Sequence, residues 1–441
     1  MKHLKFATIG FLATLVGVTT LLSSTLFAEN GDSEKSRLAS LAKFTRVVAT
    51  IEKYYVDDIT IDEIVKKSVE GLLTNLDAHS SYLDAKHFKD LKIQTEGEFG
   101  GLGITVGQRD GALTVIAPME GTPADKAGVK AGDIILKINQ QSTLNMTIDE
   151  AVGIMRGKPG TKIELTMVRE GESKPLVISI VRDIIKIESV YSRMVENENI
   201  LYVRVVSFDK NIVAGVQEAI SKHKNLKGIV LDLRNNPGGL LNQAVGLVDL
   251  FVEDGIIVSQ KGRVSSENAE YTATKEGTIK KTPLVVLVNA GSASASEIVS
   301  GSLQDHKRAI IIGEKTFGKG SVQAVLPVVD DEALRLTIAR YYLPSGRTIQ
   351  AVGVTPDILV YPGEVPHKDN ELALKERDLK KHLEGELQKV DDTKEKAKTK
   401  NPKEKESLKS ADKEIVSSEN LLKDLQLKSA IDIIKVLSIK K

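Results

Sequence analysis

Three serines stand at alternate positions in Asn289-Ala-Gly-Ser292-Ala-Ser294-Ala-Ser296-Glu297, after the apolar run Leu284–Val288 and before a stretch that reads as a helix. A serine placed there has two uses. It can cap the helix by satisfying an orphan amide. Or its hydroxyl can attack an electrophile, which requires a base, because an unassisted hydroxyl is a poor nucleophile. Spacing alone leaves Ser292, Ser294 and Ser296 open to either use. The 7 histidines are the usual bases. His3 falls in the N-terminal leader-like segment, and His367 and His382 in or near a charged tail. His306 lies on the helix that follows the serines, about 18 Å along the axis from Ser294 at 1.5 Å per residue. His79, His87 and His223 can serve only if the fold carries them over. Lysine is the other base. Lys319, in Thr316-Phe-Gly-Lys-Gly320, lies between the apolar segment Ala309–Gly313 and the alternating run Ser321–Leu326. Glycines and apolar strands around an amine desolvate it, lower its pKa and let it accept a proton near neutral pH. On an extended strand Lys319 and Gln323 face one way, because the side-chain period is two. The Gln323 carbonyl oxygen could then hold the amine. The opposing reading is a surface lysine at a hairpin.

Two glycine-rich stretches invite other chemistry. Gly313-Glu-Lys-Thr-Phe-Gly318-Lys319 fits G-x-x-x-x-G-K, but Gly320 follows where a phosphate-binding loop needs Ser or Thr. The chain also continues as a strand ending at Pro327, with no helix N-terminus to receive a phosphate. Nucleotide binding is therefore set aside. Gly100-Gly-Leu-Gly-Ile104 reads as a tight turn, or as a loop whose N–H groups capture a carboxylate. Ala117–Ala127, Gly132–Asn139 and the helical piece Thr147–Met155 follow it in the order seen in PDZ domains, and the segment resembles one over its full length. That resemblance implies a free peptide C-terminus clamped by the amides of Leu102, Gly103 and Ile104. The ligand's apolar side chains would lie against Ile148, Val152 and Met155, which share a helix face.

The elements that must position these residues follow from periodicity. Leu38, Leu41, Val48, Ile51 and Tyr55, then Ile64, Val69, Leu72, Leu73 and Leu76, recur at helical spacing and predict helix across 35–91. Short strands follow to about Asp183, interrupted by helical pieces at Pro123–Ala127 and Thr147–Met155. Strands such as Gly228–Leu233 and Leu284–Asn289 then alternate with helical stretches such as Leu241–Phe251 and Ser296–Leu303. The alternation predicts βαβ units around a largely parallel sheet, an α/β fold. From Pro362 to Lys413 the text is rich in Lys and Glu, a solvated helix or linker. Leu421, Leu422, Leu425, Ala430, Ile433, Ile434 and Leu437 close the chain as an apolar stripe that requires a partner.

Composition bounds the rest. The 441 residues are 41% hydrophobic and 27% charged, which excludes a wholly disordered chain and a multi-span membrane protein. A net charge of +1 gives no whole-chain argument for nucleic acid. Without cysteine there is no disulfide, thiolate metal site or cysteine nucleophile. Lys2, His3 and Lys5 precede the apolar run Phe6–Leu22, and Leu26-Phe27-Ala28 ends it. This is the pattern of a secretory signal cleaved after Ala28, or, because Leu26 departs from the small-residue rule, of an uncleaved anchor through 6–22. The protein is expected to work in the periplasm or otherwise outside the cytoplasm.

Several longer motifs together resemble the carboxyl-terminal processing peptidases. They are Leu76-Asp-Ala-His-Ser-Ser-Tyr-Leu83, Gly228-Ile-Val-Leu-Asp-Leu-Arg-Asn-Asn-Pro-Gly-Gly239, Asn289–Ile298, Gly313–Gln323 and Pro344-Ser-Gly-Arg-Thr-Ile-Gln350, in that order. The likeness spans about residues 40–362. It implies a serine endopeptidase with a Ser-Lys dyad and an inserted PDZ domain, needing no metal or cofactor. By the family pattern the nucleophile falls on Ser294, the general base on Lys319 and its orienting partner on Gln323, with oxyanion-hole amides at Gly239 and Ala295. The implied organisation is a signal peptide or anchor (1–28), an N-terminal helical segment (29–95), a PDZ domain (96–183), a peptidase core (184–362), and a charged linker with C-terminal helix (363–441). The implied substrates are proteins with exposed or disordered C-terminal tails. The apolar stripes at both helical ends point to a homodimer. The competing reading is a non-catalytic PDZ scaffold or chaperone.

Overall fold

The computed structural model describes residues 35–109, 111–144, 146–329, 331–365 and 415–439. The leader-like segment, with residues 6–22, and most of the charged tail lie outside them. Two compact units share the chain, Met1–Leu83 with Val325–Leu336, and Asp84–Ala324 with Thr337–Lys441.

In the first unit, α1 (35–54) and α2 (Ile61–Thr74) are helical as the periodicity predicts. A capping box opens α2: the Thr60 N–H donates to Glu63 Oε2 (2.9 Å), and the Glu63 N–H donates to Thr60 Oγ1 (3.2 Å). The predicted helix does not run unbroken to 91. Asp77 Oδ1 accepts from the N–H groups of His79 and Ser80 and turns the chain into β1 (Ser81–Leu83), which pairs antiparallel with residues 333–335. Leu38, Leu41, Phe44, Val47 and Ile51 are exposed along α1.

The second unit opens with α3 (Ala85–Glu96), so the predicted N-terminal helical segment divides between the two units. Then come β2 (Glu98–Gly101), β3 (Ile104–Arg109), β4 (Ala112–Pro118), α4 (Pro123–Lys126), β5 (Ile134–Ile138), β6 (Gln141–Ser142), α5 (Ile148–Met155), β7 (Lys162–Val168), β8 (Leu176–Val181) and β9 (Asp183–Lys186). The sheet runs β3-β4-β5-β7-β8, with β6 on β5, while β2 pairs with β9 where the segment begins and ends. Ile163, Leu165 and Met167 alternate inward on β7 and meet Leu113, Val115, Ile135 and Ile138. Asp133 is buried beneath them, 2.7 Å from Arg169 Nε. Burial pushes its pKa up, but the Arg169 guanidinium and the Lys130 N–H overcome this and hold it below the ordinary value.

The remaining elements form the α/β core. They are β10 (Val190–Val195), β11 (Ile200–Val205), α6 (Ile212–Ser221), β12 (Gly228–Asp232), α7 (Leu241–Asp249), β13 (Ile256–Gly262), β14 (Ala269–Thr272), β15 (Leu284–Val288), α8 (Ala295–Asp305), β16 (Ile310–Gly313), β17 (Ser321–Pro327), β18 (Ala333–Tyr342), β19 (Ile358–Leu359), β20 (Ile415–Val416), α9 (Ser418–Leu422) and α10 (Leu425–Ile439). Seven strands run in the order β19-β16-β15-β12-β11-β10-β20, all neighbours parallel except β10 with β11. Because β12 and β15 are covered on both faces, they read as continuous apolar runs. Alternate residues divide between two cores. Ile229, Leu231, Val286 and Val288 meet Leu247, Val248, Ile298 and Leu303, and Val230, Val285 and Leu287 face the other way.

That second face corrects the sequence reading of the C-terminus. The stripe predicted to lack a local partner finds one in its own chain: Leu421, Leu427, Ala430, Ile431 and Ile434 pack on Val195, Val230, Val285, Leu287 and Ile312. Each buried Leu or Ile contributes about 1.5–3 kcal/mol. The approach is close enough that a Cβ on Gly228 would lie 2.2 Å from the Ile434 side chain. The C-terminal helix is thus a layer of the core and gives no support to a dimer.

Candidate active site

Adjacent parallel strands β12, β15 and β16 each end in a loop at their C-terminal edge, the edge at which open α/β sheets place their sites. Two of the three candidate serines are committed to joining these loops. Ser292 Oγ donates to Leu233 O (2.8 Å), and Ser296 Oγ donates to Asn236 O (2.9 Å). Both residues are fully buried, whereas Ser294 is half-buried. Asn235 and Asn289 add a reciprocal clamp: the Asn235 N–H donates to Asn289 Oδ1, and Asn289 Nδ2 donates to Asn235 Oδ1, each at 2.9 Å.

Ser294 stands at the N-cap of α8 with φ 53° and ψ −111°. A non-glycine residue there costs on the order of 1–3 kcal/mol and persists only where its surroundings over-determine it. Here they do. The Ala293 N–H donates to Asn236 O (3.0 Å), and the Ser294 N–H donates to Glu297 Oε2 (2.9 Å). The β12 loop presses on the same turn. A Cβ on Gly238 would lie 2.9 Å from the Ala295 nitrogen and 2.8 Å from Ala293 O, and one on Gly239, at φ 150°, would lie 2.3 Å from Phe208 O. The Gly238 N–H donates to Asn236 Oδ1 (2.9 Å), the Phe208 N–H to Gly238 O (3.0 Å), and the Leu240 N–H to Phe208 O (2.8 Å). The turn that contains Gly239 is thereby held against Ser294 and the Ala295 amide.

The β16 loop joins through one carboxylate. Glu297 is fully buried and accepts from four donors: the Ser294 N–H, Thr316 Oγ1 (2.5 Å), the Gly318 N–H (2.7 Å) and the Lys319 N–H (2.8 Å). Its Oε2 is shared by Ser294 and Lys319, so the two loops meet at a single atom. Beyond them the Gly320 N–H donates to Gln350 Oε1 (3.0 Å). Gln323 is half-buried on β17, its Nε2 donating to Ser321 Oγ (2.8 Å) and Thr337 Oγ1 (3.3 Å).

The same segments match known proteins. Residues 199–360 fit the model for peptidase family S41, and residues 114–169 fit a PDZ domain model. A carboxy-terminal-processing protease of Bartonella bacilliformis is 44% identical over 361 residues, covering 80% of this chain and 83% of that one. The carboxy-terminal processing protease CtpA of Bacillus subtilis is 34% identical, covering 79% of this chain and 76% of its own length. The chain belongs to peptidase family S41. It is a serine-type peptidase carrying a PDZ domain. Among solved structures, the photosystem II D1 C-terminal processing protease is 28% identical, with a TM-score of 0.42, covering 73% of this chain and 93% of that one.

In the peptidase's PDZ domain, the sequence-predicted ligand residues grade from solvent to core. Ile148 is exposed, Val152 half-buried and Met155 buried. Leu102 is buried, and its carbonyl accepts from the Ala124 N–H (3.0 Å). The Gly103 carbonyl accepts from the Met119 N–H (2.8 Å), and β3 starts at Ile104. The loop's carbonyls therefore turn into the domain. The Gly103 backbone sits on Thr122, where a Cβ would lie 2.4 Å from its side chain.

Among the described histidines, His306 and His87 have partners elsewhere. His306 caps the far end of α8, its Nε2 2.7 Å from Ile256 O, and His87 Nδ1 lies 2.7 Å from Asp84 Oδ1. His223 follows α6. The Gly313–Lys319 motif links β16 to β17, strand to strand. Sequence reading missed Glu297, Asn236 and Thr316. A signal for Glu297 was available, since Ser294-Ala-Ser-Glu297 fits a capping box; Asn236 and Thr316 carried no local one.

Proposed function

We propose that the peptidase cleaves protein chains near their C-termini with a Ser294–Lys319 dyad. Ser294 Oγ attacks the peptide carbonyl carbon while its proton passes to the neutral Lys319 amine. The new C–O bond gives a tetrahedral oxyanion, stabilised by the N–H groups of Gly239 and Ala295. The C–N bond then breaks as Lys319 returns the proton to the leaving amine, and water hydrolyses the acyl-enzyme by the same route. Gln323 orients the lysine. One observation supports the reading: the backbone N–H groups of Ser294 and Lys319 donate to the same oxygen of buried Glu297, which brings their two loops together, while the Ser292 and Ser296 hydroxyls are tied to the β12 loop.

The PDZ domain would read the substrate's terminal carboxylate through the amides of Leu102, Gly103 and Ile104, with the ligand's apolar side chains beside Ile148, Val152 and Met155. The N-terminal segment would export the protein to the periplasm or anchor it there, a prediction checked by fractionating cells and sequencing the mature N-terminus. The exposed apolar row of α1 would make a homodimer, for which sedimentation equilibrium reads the mass.

The deciding experiment follows cleavage of a fluorescently labelled disordered protein such as casein. Ser294→Ala is expected to abolish turnover with an unchanged melting temperature. Lys319→Arg should do the same, because a guanidinium remains protonated and accepts nothing. Ser292→Ala and Ser296→Ala should keep turnover and lose about 1 kcal/mol of stability, the worth of a typical hydrogen bond. Normal turnover in Ser294→Ala would discard the nucleophile, and in Lys319→Arg the base.

A further inference from the structure

Arg234 belongs to the β12 motif but has no part in the chemistry above. It lies two residues beyond the end of β12 and precedes Asn235 and Asn236, which hold the nucleophile turn and Gly238. Its guanidinium is mostly buried and bound at every face. Nη2 donates to Asp232 Oδ2 (2.6 Å) and Asp424 Oδ2 (2.8 Å), and Nη1 donates to Asp424 Oδ1 and Gln426 Oε1, both at 3.0 Å. Asp232 and Gln426 are themselves buried. Tyr202 donates to Asp232 (2.8 Å), and Gln426 Nε2 donates to Val360 O (2.7 Å). Asp424 also caps α10, accepting from the Leu427 N–H (3.0 Å). Burial lowers the Arg234 pKa, but the two aspartates overcome it and hold the charge firmly on the guanidinium.

We propose that the C-terminal segment is a positioning element of the active site: Asp424 and Gln426 fix Arg234, which sets the path of Asn235–Gly239 and so the aim of the Gly239 N–H. A bidentate pair between planar groups is directional as well as strong. It fixes the backbone at the root of a loop whose glycines have little stiffness of their own. The oxyanion donor needs this, since removing one such donor costs about 10²–10³ in kcat and displacing it by a fraction of an ångström costs part of that. The apolar side of α10, by contrast, contacts the sheet and not Arg234, so docking and aiming reside in separate residues.

The separation supplies the test, carried out on the full chain with labelled casein. The proposal rests on the Ser294 reading, so wild-type turnover and its loss in Ser294→Ala are measured first, and failure there is seen independently of Arg234. Asp424→Asn keeps size but loses the charge and one acceptor. It should lower kcat about tenfold with KM unchanged, a partial loss of one oxyanion donor, and slow labelling of Ser294 by a fluorophosphonate to the same degree. Asp424→Glu should restore most of the rate. Ile434→Ala removes packing from the same helix without touching Arg234, and should lower the melting temperature while kcat stays at the wild-type value. A normal kcat in Asp424→Asn would overturn the proposal. So would a fall in kcat that follows melting temperature alike in Asp424→Asn and Ile434→Ala, because the segment would then act only by holding the core together.

Discussion

Two helices of the second unit open on the same four-residue pattern and come to different ends. Thr147-Ile-Asp-Glu150 begins α5 of the PDZ domain, and Ser294-Ala-Ser-Glu297 begins α8 of the core. In both, the glutamate reaches back to the N-cap amide: Thr147 N–H to Glu150 Oε2 at 2.8 Å, Ser294 N–H to Glu297 Oε2 at 2.9 Å. Glu150 is exposed and makes only this local cap; its pKa is lowered by the Thr147 N–H and hydroxyl. Glu297 is fully buried, and its remaining capacity goes to Thr316, Gly318 and Lys319 from another loop. A cap in water satisfies one amide. The same cap without water must find a partner for every lone pair, and here those partners are the two loops proposed to do the chemistry.

The largest expected effect comes from breaking that difference. Glu297→Gln turns an amide NH₂ toward N–H donors, whichever way the side chain is flipped. Turnover should fall about 100-fold, the scale on which displacing catalytic groups acts, and the reactivity of Ser294 toward a fluorophosphonate should fall with it. An active Glu297→Gln enzyme would mean that the shared oxygen does not set the geometry. A smaller effect should come from the PDZ side, where recognition would rest on the amides of Leu102, Gly103 and Ile104. Amidating the substrate's C-terminus removes a charge whose hydrogen bonds are roughly twice as strong as neutral ones. It should raise KM by up to about tenfold and leave kcat alone; equal use of acid and amide would reduce the PDZ domain to a structural insert. The smallest effect sharpens the comparison from the other end. Glu150→Gln should leave kcat and KM unchanged, since nothing but its own N-cap depends on it. A catalytic defect there would show that the two caps differ less than their burial implies.

Much was legible in the sequence because it is local. The continuous apolar runs of β12 and β15 announce strands covered on both faces. The alternation of β7, the capping boxes and the serine turn before α8 are likewise set by neighbours along the chain. The α/β class, the PDZ-like insert and the family followed from such segments in order. Short-range signals also failed where a side chain turns the chain out of a predicted helix, as Asp77 does between α2 and β1.

What no local pattern could give is which groups share a space. Ser292, Ser294 and Ser296 are equivalent by spacing. They become distinct only when the β12 loop arrives to take the Ser292 and Ser296 hydroxyls. The C-terminal stripe declared that it needed cover, but not that the cover was its own sheet, because hydrophobicity has no direction and any apolar face would serve. Directional partners decided the rest. Glu297 and Arg234 each satisfy a buried charge with groups far away in sequence, and only the folded chain brings those groups within hydrogen-bonding distance. The sequence by itself determined the elements and their order. The tertiary structure decided which serine hydroxyls the β12 loop takes and what holds the turn between them.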